Sequence, residues 1–167
     1  MPTLSLPSSP LNVDATSPQG AAVSYSVSAS LPDDASATPT VSCSSVSGST
    51  FPIGTTTVQC SASDAASPPD TTTGSFQVVI KGAAAQVNDQ ISLVNSFNLS
   101  PTGIQTSFDS QLQAVQADLA ANNTAQACSD LTSFVNHVNA QSGKKLTVAQ
   151  ANQLLAAAEQ IHAVLGC

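Results

Sequence analysis

The chain has 167 residues, with 3 Lys+Arg against 10 Asp+Glu, a formal net charge of -7 and only 8% charged residues, about a third of the ~25% usual in soluble domains. So little positive charge excludes nucleic-acid binding and docking on an anionic membrane surface, both of which need clustered Lys and Arg. No apolar run of about 18 residues exists to span a bilayer, and 41% apolar residues are enough to build cores rather than leave the whole chain disordered.

Composition changes near residue 83. Nine of the ten Pro lie in residues 1–82, which are rich in Ser, Thr and Val; residues 83–167 are rich in Ala, Gln, Leu and Asn. The first half repeats with period two. Leu4 with Leu6, and Leu11 with Val13, suit short edge strands broken by Pro7 and Pro10. Val23-Ser24-Tyr25-Ser26-Val27-Ser28-Ala29 alternates without interruption. Val41 and Cys43 share a face, as do Val58, Cys60 and Ala62, and then Phe76, Val78 and Ile80. Turn residues punctuate these runs at Pro18-Gln19-Gly20, Pro32-Asp33-Asp34, Ser47-Gly48-Ser49, Pro52-Ile53-Gly54 and Pro68-Pro69-Asp70. About six or seven short strands with frequent turns predict a small antiparallel β-sandwich, and without a crossover helix a parallel sheet is out.

The second half repeats with period 3.6. Ile91, Val94 and Phe97 suggest a short leading helix. Ile104, Phe108, Leu112, Val115 and Leu119 form one stripe, and Leu131, Phe134, Val135 and Val138 a second. Val148, Ala151, Leu154, Leu155, Ala158, Ile161 and Leu165 form a third. Ser100 before Pro101 reads as an N-cap with Pro at the first helical position. Thr147 with Gln150 fits a capping box. Asn122-Asn123-Thr124 and Ser142-Gly143 break the helices. Short breaks make neighbours antiparallel, so this half is expected to be a small four-helix bundle. The domain division is 1–82 for the β half, 83–88 as linker and 89–167 for the helical half. Leu99-Ser100 and Leu146-Thr147 each precede a helix, 47 residues apart, a faint repeat that a common style of helix start explains equally well.

Four Cys allow three connectivities. Cys43 and Cys60 lie on adjacent predicted strands, 17 positions apart. Cys128 lies near the start of the third helix and Cys167 just past the end of the fourth, and those ends meet if the two helices are antiparallel. Pairing within each half is favoured because it needs no contact between domains. Two disulfides and a surface of Ser, Thr, Asn and Gln place the chain in an oxidising, extracellular setting, secreted or on a cell surface. Met1-Pro2-Thr3 has no basic region and no apolar stretch, so it is not a signal peptide.

Gly48-Ser49-Thr50-Phe51-Pro52-Ile53-Gly54-Thr55-Thr56-Thr57-Val58-Gln59-Cys60 with the preceding Val41-Ser42-Cys43 resembles the hyalin repeat (HYR) family. Gly74 to Ile80 resembles that family's last strand, and Asp14 to Gly20 the lead into its Val23–Ala29 strand. The resemblance covers about residues 2–82 and implies an immunoglobulin-like sandwich associated with extracellular adhesion. Many members carry a third Cys where this chain has Gly74-Ser75, which leaves Cys43 and Cys60 as the natural couple. Residues Ala127 to Asn139 and Gly143 to Ala151 resemble the FIMAH module, seen at the C-termini of secreted bacterial proteins.

Chemistry-bearing patterns are sparse. His137 and His162 stand beside apolar stripes and read as interhelix or surface residues. Glu159 is the only Glu, so the carboxylate pair that glycoside hydrolysis needs is not apparent. Asp33, Asp34, Asp64 and Asp70 could reach a Ca²⁺ ion only without the DxDxDG pattern, and they read as turn residues. No Cys-x-x-Cys exists for a metal. Lys81 reads as solvated on the outer face of its strand. Phe51, at a loop tip, is the one candidate for a sugar platform.

The expected function is therefore non-catalytic: an extracellular structural or adhesion module pair with no cofactor and no metal. Its partner would be a protein or a surface glycan, and a homo-oligomer or filament could form through strand edges. The competing expectation is a pair of accessory carbohydrate- or surface-binding domains of a secreted hydrolase.

Overall fold

A computed structural model describes residues 1–32, 38–66 and 68–167; the predicted turn at Asp33-Asp34 lies outside them. Two compact units are present. The first comprises Met1–Val13 and Gly20–Ile80, the second Asp14–Gln19 and Lys81–Cys167.

The first unit is built of β1 (Thr3–Ser5), β2 (Leu11–Asp14), β3 (Ala21–Ala22), β4 (Ser28–Ser30), β5 (Thr40–Cys43), β6 (Thr50–Phe51), β7 (Gly54–Ser63) and β8 (Thr71–Lys81). A four-stranded sheet has the order β2-β8-β7-β5, and two short ladders join β1 to β4 and β3 to β6. The longest pairing, β7 with β8, is antiparallel and runs from Gly54 opposite Ile80 to Ser63 opposite Thr71. Period-two alternation then puts Val58, Cys60, Ala62, Phe76, Val78 and Ile80 on one face, and all six are buried. The edge of the Tyr25 ring meets Phe76, with centroids 4.8 Å apart.

Two expectations are corrected. The sheet is not wholly antiparallel. Gln77 N–H donates to Ser9 Oγ and Ala15 N–H to Lys81 O, so residue numbers rise together along β2 and β8. The two strands are far apart in sequence, and the rest of the unit supplies the long return that parallel pairing requires. The alternating run Val23–Ala29 is also not one continuous strand. Its inside–outside alternation holds, with Val23 buried and the serines exposed, but only Ser28–Ser30 joins a ladder. Opposite Tyr25 the backbone partner is replaced by a side chain: Ser47 Oγ accepts from Tyr25 N–H at 2.8 Å and donates to Tyr25 O at 2.7 Å. One hydroxyl does the work of a peptide group.

The second unit is formed by α1 (Ala83–Ser96), α2 (Thr102–Ala120), α3 (Thr124–Gln141) and α4 (Val148–Leu165). α1 packs on α2 and α4, and α3 on α2 and α4, closing the ring of a four-helix bundle. Phe108, Leu112, Val115, Leu131, Phe134, Leu154 and Ile161 are fully buried, and Phe108 meets Phe134 edge-to-face at 5.6 Å. Residues 83–88, read as a linker, are the first turns of α1: Ala83-Ala84-Ala85 favour a helix, and extended Gly82 stands at its N-cap. In α4, Val164 rather than Leu165 completes the stripe, and Val148 is 59% exposed.

The helix starts differ in their caps. Thr147 and Gln150 form the reciprocal capping box. Asn123 Oδ1 accepts from Gln126 N–H at α3. At α2 the N-cap is Pro101, not Ser100, and its side chain cannot cap. Gln105 reaches back instead, accepting Leu99 N–H at 3.0 Å. Leu99 and Leu146 are both buried before their helices, which gives the faint repeat a structural counterpart.

Candidate functional site

In the first unit, Cys43 and Cys60 are bonded across β5 and β7 with Cα atoms 4.1 Å apart. They face each other directly in the ladder, while the adjacent Ser44 N–H donates to Gln59 O at 2.8 Å. The bridge thus occupies a non-hydrogen-bonded position, where facing Cα atoms come closest. β5 is the end strand of its sheet. Beside it runs an open groove of about 580 Å³, with Tyr25, Ser26 and Val27 on one side and Val41, Ser42 and Cys43 on the other, closed at one end by Ser45–Ser47. Tyr25 OH donates to Ser45 O and holds that end. Among the described residues, no charged side chain lines the groove. Phe51 is 2% exposed; it is a core side chain and offers no sugar platform.

In the second unit, Cys128 at the start of α3 is bonded to Cys167, with Cα atoms 6.1 Å apart. Gly166 takes a left-handed conformation, φ 78°, to end α4, which turns Cys167 back toward α3. His162 Nε2 lies 3.4 Å from Cys128 O and 3.5 Å from Thr132 Oγ1. His137 Nδ1 lies 3.0 Å from Gln111 Oε1, with its ring against Phe108. Each His ties two helices. Among the described residues no three His, Cys, Asp or Glu side chains gather as a metal site. Asp64 shapes the β7–β8 turn instead, its Oδ1 accepting from Ala66 and Asp70 N–H.

Sequence reading missed a glutamine cluster. On α1, Gln86 and Gln90 occupy core positions and are 6% and 1% exposed. Gln86 Nε2 donates to Ala15 O and Lys81 O, both at 3.0 Å, and Gln160 of α4 also donates to Ala15 O. These bonds fasten the Asp14–Gln19 segment to the helices. Lys81, expected in solvent, joins them: its Nζ is 2.6 Å from Asp89 and 3.6 Å from Asp14. The Asp89 hydrogen bond leads the causes that raise its pKa. Gln90 Nε2 donates to Leu154 O at 2.9 Å, while its Oε1 is buried without a partner. Leu fills a similar volume, gives up one bond worth about 1 kcal/mol and removes an orphan acceptor costing about 1–3 kcal/mol. Gln90→Leu is therefore expected to match or exceed the native stability in urea unfolding, whereas Gln90→Glu buries a charge and is expected to lower it sharply.

Two carboxyls sit above their usual range. Burial raises Asp109, whose Oδ1 is also buried without a partner. Burial again leads for Asp118, with the charge of Asp130 and a hydrogen bond to it adding. Both groups bind a proton more readily folded than unfolded. Their contribution to stability is therefore complete below the unfolded pKa and is lost as pH rises through the folded value. Helix melting followed at 222 nm should gain from these groups as pH falls from neutral toward the unfolded Asp value of about 3.9. The gain should shrink in Asp109→Asn with Asp118→Asn; an unchanged gain would remove these groups as its source.

The geometry thus defines a β-rich module followed by a helical module, each closed by its own cystine. Residues 1–80 match the HYR domain model and residues 84–163 the FIMAH domain model. The chain carries a HYR domain followed by a FIMAH domain. Both are families of non-catalytic modules, and HYR domains are associated with extracellular, adhesion-type proteins. No curated protein and no solved structure is similar enough to the chain to count as a match. Among the described residues, no helix is long and apolar enough to cross a membrane.

Proposed function

We propose that this chain is a non-catalytic structural and adhesion module pair of a secreted or cell-surface protein. The observation that carries the reading is the HYR match over residues 1–80, together with a cystine in each unit. Cystines persist in oxidising compartments, which supports an extracellular setting. An immunoglobulin-like sandwich is the finer form of the β unit, with the β1–β4 and β3–β6 ladders as the layer facing the four-stranded sheet. Leu4 and Leu6 lying against Gly74 support that form, as does Tyr25 against Phe76.

In this role the scaffold presents surface, and partners are a protein or a surface glycan. Low charge leaves recognition to hydroxyls, amides and backbone groups. The test is retention of beads coated with the full chain on immobilised glycans and extracellular proteins, run beside assays for ester and glycoside hydrolysis. Retention without turnover is the expected result. Turnover by the pure chain, or failure to be retained on every surface, overturns the proposal.

A further inference from the structure

We propose that β5 pairs with the β5 of a second copy of this chain, antiparallel about Ser42, so that the four-stranded sheet continues from one molecule into the next. This deepens the adhesion reading and rests on it for its biological use.

β5 is the end strand of the order β2-β8-β7-β5, so among the described residues one side of it has no ladder partner. In an antiparallel ladder, alternate residues turn both N–H and C=O to the same neighbour. Ser44 N–H donates to Gln59 O, so Ser44 and Ser42, two residues before it, face β7. Val41 and Cys43 then face outward, and their N–H and C=O groups make up the free edge. With Ser42 placed opposite Ser42 of the second copy, Val41 comes opposite its Cys43. That pair exchanges two backbone hydrogen bonds, and the two-fold axis repeats them. The edge is therefore self-complementary, as a closed two-fold contact requires.

Charge points to the same occupant. Each copy carries -7, yet no charged residue occurs from Thr38 to Ser63, so β5 and the strand it pairs with bring no like charges of their own to the contact. Natural edges are commonly guarded by Lys or by an inward-pointing charge; β5 itself, Thr40–Cys43, carries neither. Val46, 75% exposed at the groove beside the edge, gives the second copy apolar surface to cover. Size sets the strength. β5 is four residues long and Pro39 precedes it, against about 20–30 residues a side in a stable interface. The pairing is thus weak for two free molecules and gains strength where many copies are displayed together.

The test uses the full chain with both bridges intact, in sedimentation equilibrium from about 10 μM to about 1 mM, with amide exchange read by NMR at the same concentrations. Mass is expected to rise toward the dimer. Where half the copies are paired, exchange at Val41 and Cys43 should slow about twofold, with no change at Ser42 and Ser44. Val41→Pro removes an outward N–H and spares the β5–β7 bonds. It should keep the native melt and lose the mass increase. Val46→Glu should weaken association, most at low salt. A constant monomer mass at the highest concentration, association that survives Val41→Pro, or protection gained only away from β5 overturns the pairing. Bead retention without dimerisation would defeat this inference alone, and dimerisation without bead retention would defeat the adhesion reading alone.

Discussion

Replacing Cys128 and Cys167 together by Ser is expected to lower the stability of the helical unit by about 4 kcal/mol, the chain-entropy value for so long a loop. The bridge spans 39 positions, whereas Cys43–Cys60 spans 17 and contributes about 3 kcal/mol on the same basis. Stabilities of 5–15 kcal/mol are typical of domains, so either loss is a large share. Position adds to length for the helical bridge. It ties the start of α3 to the residue just after the left-handed Gly166, and the last turns of α4 carry Ile161 and Val164 in the core. Among the described residues every helix lies in this unit, so circular dichroism at 222 nm in urea reports on it. A loss under about 1 kcal/mol would mean that the denatured chain is already compact enough to make the constraint redundant.

Legibility followed the density of local signals. The β7 and β8 faces were readable because Val58, Cys60, Ala62, Phe76, Val78 and Ile80 alternate without exception and are buried without exception. α2 and α3 were readable because Phe108, Leu112, Val115, Leu131 and Phe134 repeat at helical spacing. The Val23–Ala29 alternation was equally clear, and it did predict which side chains point inward. It could not predict where a ladder stops, because that depends on whether Ser47 offers a backbone or a hydroxyl across from Tyr25. The parallel placing of β2 against β8 is likewise a long-range fact that no local period carries.

The glutamine cluster failed for another reason. α1 buries positions 83, 86, 87, 90 and 94, a regular helical stripe, but two of the five are Gln. The reading from Ile91, Val94 and Phe97 caught Val94 of this stripe but took Ile91 and Phe97 for its companions, and these are only half-buried. The signal lay in spacing rather than hydropathy: polar side chains at core positions imply main-chain partners, here Ala15, Lys81 and Leu154. Which segments supply those carbonyls is set by tertiary structure, and so was Lys81's engagement with Asp14 and Asp89.

Gly20→Ala is expected to cost the β unit about 2–5 kcal/mol, the sum of a left-handed Cβ penalty and overpacking. Gly20 has φ +114°, and a Cβ there would stand 1.9 Å from Phe51 O and 2.9 Å from Phe51 C. The obstacle is backbone, so no rotamer change relieves it. Gly20 leads into β3, where Ala21 faces Phe51 and Ala22 faces Thr50, and β6 would have to withdraw and lift Phe51 from the core. Controls separate the two causes. Gly48 and Gly54 also have positive φ, but a Cβ at either meets nothing within 4 Å, so Ala there should show the conformational penalty alone. Gly74 tests packing alone: its added Cβ would meet Leu6 Cδ1 at 2.9 Å, a side-chain tip that can turn away, so the loss should be smaller. Tyr25 is the only Tyr in a chain without Trp, and it rests on Phe76 in this unit. Its fluorescence in urea therefore reports the β unit, while the 222 nm signal should keep the native helical transition. A Gly20→Ala loss no larger than that of Gly54→Ala would show that β3 and β6 separate at little cost.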